Sequence, residues 1–547
     1  MRRRTVIKGL ASAGMTSSLL SATSKASLLS SLASSPASAS SFQPTWDSLT
    51  HYEVPAWFRD AKFGLWAHWG PQSMGEDGDW YARRLYFEGD KAYIDHCRRF
   101  GHPSKVGFKD VINLWKAEKW EPEELVAFYK RAGARYFMAL ANHHDNFDLY
   151  DSTYQSWNST KFGPRKDIAG AWARAALNNG LPLGFSVHAS HAWSWYEPSR
   201  RSDKQGANAG VPYDGNLKAE DGKGTWWEGM DPQELYAQNH PLSANSEDNM
   251  MIHRQWDWGN GVFPPSNAYC EKFYKRTIEL IDKYQPEILY FDDTGLPLSQ
   301  VSDVGLKIAA HMYNTSVARY GNLRAVICAK ILNETQRKCM VWDVERGHSN
   351  QIEPLPWQTD TCLGDWFYSR DIYENGKYKS SKSVIHMLAD IVSKNGNLLL
   401  NIPVRADGTI DEKERLIVEE IGEWIRVNSE AIYSTRPWNQ YGEGPAMESV
   451  TPLKAQGFNE GQVYGPKDIR FTRKGKVLYS IVLGWPQDRQ VLIKSLPVGH
   501  GKAERVGMLG ANDRLHFEHT AMGLKVDLPQ APARKEAFVL KIDGVIS

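Results

Sequence analysis

The sequence predicts a (β/α)8-like TIM barrel followed by a C-terminal antiparallel β-sandwich. Three observations carry this expectation. Eight short apolar runs recur between residues 62 and 403, each closing on polar or aromatic side chains. Helical patterns lie between several of them, and strands alternating with helices build a parallel sheet. From about residue 440 the helical patterns stop, and short runs of alternating polarity replace them. Eight strands over roughly 390 residues suit a closed barrel better than an open sheet.

The chain has 547 residues and opens on MRRRTVIKGLASAGM, an arginine pair ahead of a mildly apolar stretch. PASAS then supplies small residues of the A-x-A type. The pattern resembles a twin-arginine signal peptide over residues 1–39, cleaved after Ala39, with a periplasmic or extracellular destination. No cysteine lies near that point, which argues against a lipid anchor. No later stretch approaches the ~20 apolar residues that cross a bilayer.

The eight runs are KFGLWAHWG (62–70), ARYFMALANHH (134–144), LPLGFSVHASH (181–191), PEILYFDD (286–293), RAVICAKI (324–331), CMVWDVERG (339–347), WQTDTCLGDW (357–366) and NLLLNIP (397–403). Between them, PEELVAFYKRAG at 122–133 has proline and acidic residues in its first turn and glycine at its end. NAYCEKFYKRTIELIDKYQ at 267–285 carries apolar residues on one helical face. SKSVIHMLADIVSKNGN stops on Asn-Gly. No helical pattern is visible between 324 and 366, which predicts an irregular side to the barrel. Residues 200–260, rich in glycine, asparagine and aspartate, read as a loop insertion near the active-site mouth. A helix over 411–435 closes the region, so the barrel is expected over 40–438. The runs KVLYSIVLGW, RQVLIKSL, LKVDLP and AFVLKIDG form the sandwich at 439–547. Packing as a structural rider is the commoner role for such a domain.

Composition narrows the function little. The 65 basic residues balance 64 acidic ones, so charge points to neither a nucleic acid nor a membrane surface. Twenty-one tryptophans suit either a sugar-binding surface or dense core packing. Five cysteines at wide spacings form no C-x-x-C pair, so neither a zinc knuckle nor a dense disulfide framework is expected, and one disulfide remains possible.

The strand ends carry the chemistry. Alternation puts Ile288, Tyr290 and Asp292 on one face and Asp293 on the other, so Asp292 ends its strand facing the barrel axis. A lone aspartate at a strand end is more often a turn or cap residue. Here, however, His68, His143, His144, His188, His191, Asp79, Trp80 and Glu345 close or follow neighbouring runs. A metal site would draw on the same side chains. Adjacent strand residues point to opposite sides, which makes His143 and His144 awkward ligands for one ion, and no H-E-x-x-H or H-x-H spacing accompanies them. No metal and no cofactor are expected.

WFRDAKFGLWAHWGPQS, GARYFMALANHHDNFDLYDS, LYFDD, DIVSKNGNLLLNIPVRADGTI and WIRVNSEAIYSTRPW resemble, in the same order, segments of the α-L-fucosidases of glycoside hydrolase family 29. The resemblance runs from about Phe42 to Trp438, with a gap at 200–260. It implies a retaining exo-glycosidase that removes terminal α-L-fucosyl residues, and a fucosylated oligosaccharide or polysaccharide as substrate. By the same resemblance Asp292 is the nucleophile, and His68, His143 and His144 hold the sugar hydroxyls. Trp80 and Tyr81 match an E-W-Y segment in which this chain carries Asp79 for the usual glutamate. His188 stands where many members carry tyrosine. The family places its acid/base on variable loops; Glu345 is the first choice here, Glu353 the second and Asp360 a distant third. Arg346 would oppose protonation of Glu345, so it is expected to point elsewhere. Trp66, Trp80 or Trp366 is expected to wall the sugar's C6 methyl. A related α-L-glycoside such as an α-L-galactoside, or an inactive sugar-binding protein, is the alternative.

Overall fold

Each of the eight apolar runs forms a strand: β1 Phe63–Ala67, β2 Phe137–Asn142, β3 Leu183–Val187, β4 Ile288–Thr294, β5 Val326–Lys330, β6 Val341–Glu345, β7 Trp357–Cys362 and β8 Gly396–Asn401. In this computed structural model the described residues are 41–547 apart from 245, 247–257, 259–260, 450–452, 454–456, 512–513, 531–534 and 546–547. The expected signal peptide and part of the expected insertion lie outside them. The strands are buried along their lengths except near the ends of β4 and β6. Burial on both faces is why most of them read as nearly continuous apolar runs, although β7, WQTDTC, is equally buried and mostly polar.

The strands pair in parallel, each with its neighbour in sequence, and β1 pairs with β8 to close the barrel. Tyr136 lies across β1 where a Cβ on Gly64 would stand 2.3 Å from its ring, so only glycine permits the approach. The expected irregular side is present. Between β5 and β6 the described chain holds only a 3-10 turn, Gln336–Lys338, and no helix is described between β6 and β7.

The helices begin and end where their capping chemistry directs. Pro122 opens the helix Pro122–Arg131, with Glu123 and Glu124 in its first turn. Ser266 and Ser380 accept backbone N–H groups at the starts of Asn267–Tyr284 and Ser381–Ser393. The helix expected over 411–435 begins in a capping box, Asp411 with Glu414, but stops at Asn428 and passes into the 3-10 turn Ser429–Ala431. The described part of the 200–260 insertion packs against the body. Buried Asp214 accepts from Tyr86 at 2.8 Å, Tyr236 at 2.6 Å and the Lys109 ammonium at 3.0 Å.

The antiparallel strands that follow are β9 Arg436–Glu443, β10 Ile469–Lys474, β11 Val477–Val482, β12 Gln490–Ile493, β13 Arg505–Met508, β14 Phe517–Thr520, β15 Gly523–Asp527 and β16 Phe538–Asp543. They form one sheet in the order β13-β16-β11-β10-β9 and another in the order β12-β15-β14. Phe471, Leu478, Ile493, Val526 and Leu540 fill the space between the sheets. Tyr479, Ile481 and Val539 face the other way and join the core of the barrel. A buried ion triad crosses the junction: Asp390 on Ser381–Ser393 accepts from Arg470 on β10 and from Lys394, each at 2.6 Å.

All five cysteines are unpaired, four of them buried and Cys97 half-buried. Among the described residues, no helix is long and apolar enough to cross a membrane.

Candidate active site

The C-terminal ends of the barrel strands surround a cavity of about 280 Å³. Strand polarity brings the polar run ends together, because parallel strands all end on the same rim.

The stretch after β2 is held by its own side chains. The side-chain amide of Asn142, the last residue of β2, donates to Asp148 at 2.9 Å, and its Oδ1 accepts from the His188 and Ala189 N–H groups at 3.1 Å each. Arg276 grips Asp148 with two nitrogens, at 3.0 and 2.6 Å. His143 and His144 therefore sit in a turn beyond the strand, with ring centroids 4.4 Å apart and both rings on the cavity. This corrects the expectation that alternation would separate them, since alternation ends where the strand ends.

The imidazoles are closely packed. Among the described residues, His68, His143 and His188 bring donor atoms within 4.8 Å of one another, as do His144, His188 and Asp292. Spacing alone would admit an ion. The donor set argues for another use. Gln72 donates to His143 Nδ1 at 2.7 Å, so the other nitrogen of the neutral ring carries the proton and acts as a donor. The Gln72 amide is oriented by the Ala82 N–H on its carbonyl. Burial, reinforced by neighbouring imidazoles, holds His68 and His143 well below the usual histidine range. Among the described residues, His68 Nδ1 and Trp66 Nε1 are buried with no hydrogen-bond partner, as hydroxyl-binding groups would be.

Asp292 projects from β4 into the cavity. Its Oδ1 is 2.7 Å from Lys330 Nζ; its Oδ2 is 3.2 Å from His144 Nε2 and 3.5 Å from His188 Nδ1. Burial would raise this carboxyl, but the Lys330 ammonium and bonds from the two imidazoles outweigh it and hold it well below the carboxylate range. His144 is pushed down to about 4, burial outweighing its bond to Asp292. Asp293 points away, as alternation requires, and accepts from Ser190 at 2.8 Å and pairs with His191 at 2.9 Å.

Glu345 ends β6 facing the same cavity. Its Oε2 is 2.5 Å from Lys330 Nζ, and its Oε1 accepts from Trp366 Nε1 at 3.2 Å. Burial first, then the charges of Asp360 and Asp292, push its carboxyl up to about 7 against the pull of Lys330. The Lys330 contacts of 2.7 and 2.5 Å bound the separation of the two carboxylate oxygens: their sum, 5.2 Å, is the most it can be. Asp360 on β7 also lines the cavity and accepts from Tyr290 at 2.8 Å. Arg346 pairs with Glu460 at 2.8 Å, in line with the expectation that its guanidinium serves another partner.

Trp80, Trp366, His68, His143, His144 and His188 all line the cavity with Asp292 and Glu345. Two expected residues do not. Tyr81 is buried beneath the rim, its hydroxyl 2.6 Å from His96 Nδ1, because the left-handed Trp80 before it turns the chain inward. Glu353 precedes β7, bonded to Ser349 at 2.5 Å and Arg337 at 3.1 Å, so it sits near the other end of that strand. Sequence reasoning passed over Lys330, Asp365 and Phe458, which also line the cavity. Lys330 was discoverable: it closes an apolar strand, the signal that marked the histidines. Phe458 lies in an irregular stretch with no such signal.

A parallel barrel whose strand ends carry two facing carboxyl groups, one ionised and one raised toward neutrality, is the apparatus of a glycoside hydrolase. The comparisons narrow the class. A family model described as Alpha-L-fucosidase matches residues 29–430, and a second, Alpha-L-fucosidase C-terminal domain, matches 465–543. The chain is 27% identical over 508 residues to the plasma alpha-L-fucosidase of Homo sapiens, covering 90% of each chain. It is 25% identical to the tissue alpha-L-fucosidase of Rattus norvegicus over 517 residues, 92% of this chain and 93% of that one. Among solved structures, the Thermotoga maritima alpha-fucosidase in complex with fucose shares the fold, with a TM-score of 0.65 at 23% identity, over 92% of this chain and 100% of that one. The chain belongs to the alpha-L-fucosidase family, a glycoside hydrolase acting on fucosyl residues.

Proposed function

We propose that the protein is an exported, retaining exo-α-L-fucosidase that uses Asp292 as nucleophile and Glu345 as acid/base. The observation that carries this reading is the bridge of Lys330 between the two carboxylates. Retaining enzymes place their carboxyl groups about 5–5.5 Å apart, whereas inverting ones leave about 6.5–9.5 Å for a water. The upper bound of 5.2 Å between the bridged oxygens supports retention.

Asp292, kept ionised by Lys330, His144 and His188, attacks the anomeric carbon as the bond to the leaving oxygen breaks. Glu345 gives its proton to that oxygen, and a covalent fucosyl-enzyme results. Glu345, now ionised, takes a proton from water, whose oxygen displaces Asp292 and releases fucose. Through both steps His68, His143 and Trp66 present N–H groups to the sugar hydroxyls, and the tryptophans wall its apolar side. The substrate is an α-L-fucosyl residue, the group the relatives' names print, carried as the terminal sugar of an oligosaccharide or polysaccharide. Export rests on the arginine pair and the PASAS segment ahead of residue 40.

Proton NMR of the first product from an aryl α-L-fucoside tests the mechanism: α-L-fucose is expected to form first, and β-L-fucose forming first would overturn it. Asp292→Ala is expected to lose at least roughly 10³-fold in kcat. Azide should rescue Glu345→Ala and form an α-fucosyl azide; rescue of Glu353→Ala alone would reassign the acid. Changing Arg3 and Arg4 to lysine is expected to keep the protein in the cytoplasm, as cell fractionation would show.

A further inference from the structure

The segment 457–460 reaches the cavity mouth from beyond β9, and the chemistry above does not use it. It is strapped to the residues that follow β6. Gly457 pairs with Glu345 as an isolated parallel bridge. The Phe458 N–H donates to the Glu345 carbonyl at 2.8 Å, and the Glu460 N–H donates to the Arg346 carbonyl at 3.0 Å. Asn459 accepts from the His348 N–H at 2.8 Å and donates to the His348 carbonyl at 3.0 Å. The Glu460 carboxylate takes Arg346 at 2.8 Å, Thr361 at 2.7 Å and Lys379 at 3.0 Å. A Cβ on Gly457 would lie 2.1 Å from the Glu345 carbonyl oxygen, so this docking requires glycine.

All this anchoring leaves one side chain uncovered. Phe458 lines the cavity yet is 54% exposed, and its backbone is held at φ +57°, a left-handed conformation that a bulky residue resists. Ile331 and Arg346, at the same mouth, are also left-handed, with φ of +52° and +46°. Backbone held against its preference persists where surrounding bonds over-determine it, and such residues gather at ligand clamps. Because the acid donates its proton to the leaving oxygen, the group that leaves lies on the Glu345 side of the sugar. Phe458 stands on that side.

We propose that Phe458 is the leaving-group platform, an aromatic face that packs against the sugar ring or aryl group joined to the fucosyl residue. The inference rests on the assignment of Glu345 as the acid. A pyranose ring offers a face of C–H groups, and an aromatic side chain fits such a face without hydrogen bonds, tolerating more than one linkage. It is a specificity-determining contact outside the fucose pocket, supplied by the chain beyond the barrel.

The test compares substrates with and without a ring to leave. Wild type, Phe458→Ala and Phe458→Trp are assayed on α-L-fucosyl fluoride, 4-nitrophenyl α-L-fucoside and a fucosylated disaccharide. In Phe458→Ala, kcat/KM for the disaccharide relative to the fluoride is expected to fall roughly three- to ten-fold. Phe458→Trp should restore the ratio. An equal loss on fluoride and disaccharide would assign Phe458 a structural role and overturn the proposal, as would no loss on either. Failure of the wild type to hydrolyse the fluoride would instead sink the fucosidase reading beneath it.

Discussion

At the scale of single residues, Lys330 governs the site. One buried ammonium touches both Asp292, the proposed nucleophile, and Glu345, the proposed acid, yet the two carboxyls move in opposite directions. Asp292 has two imidazoles as well as Lys330 and stays ionised, whereas Glu345 has Asp360 and Asp292 as neighbours and is pushed up to about 7. The sign of the pH dependence follows. Glu345 must keep its proton to act as acid, so kcat/KM should fall as pH rises through about 7. His144 gains a proton only near 4, and Asp292 only in stronger acid, so activity should hold between about 4 and 7. A pH–rate profile on an aryl fucoside measures both limbs. Lys330→Met should lower kcat/KM roughly 10²-fold. Both carboxyls then lose the charge that draws them down, so both limbs should move to higher pH. A merely structural lysine would leave them in place.

At the scale of elements, the clearest dependence is the triad joining the helix Ser381–Ser393 to β10. Asp390, Lys394 and Arg470 are all but fully buried, and the two cations hold Asp390 well below the carboxylate range. Asp390→Asn would leave two buried cations facing a neutral amide. Breaking such a group by removing one member typically costs about 3–5 kcal/mol, which denaturant unfolding would record. Because Asp390 is depressed in the fold, its contribution is complete above the ordinary carboxylate range and is lost only in strong acid. Most strand elements were legible because burial on both faces leaves a continuous apolar run; β7, WQTDTC, is as buried as the others but mostly polar. The end of the 411–435 helix was not legible. Residues 429–435 keep an apolar pattern, but they turn at Ser429–Ala431 to feed β9, a choice made by the sheet they join.

At the scale of the whole molecule, barrel and sandwich share a core. Tyr479, Ile481 and Val539 of the sandwich pack among barrel residues, and segment 457–460 is bonded to the rim beside Glu345. The chain should therefore unfold in one transition, with tryptophan fluorescence and calorimetry giving the same midpoint. A separate earlier transition for the sandwich would contradict this. Gln72 occupies one nitrogen of His143, and Lys330 takes an oxygen of both Asp292 and Glu345, so exhaustive chelation is expected to leave kcat undiminished. The strand-and-helix alternation, the change near residue 440, and the delivery of Asp292 and the histidines to strand ends were legible in the sequence alone. These are local: burial imposes a run, and parallel strands deliver their last residues to one rim. The tertiary structure was needed to show that Lys330 bridges the carboxylates, that Glu345 rather than Glu353 shares the cavity with Asp292, and that Tyr81 stays beneath the rim. Those depend on which loop lies against which across the barrel mouth, and a side chain's charge is set by neighbours far away in the chain, as His144 is from Asp292.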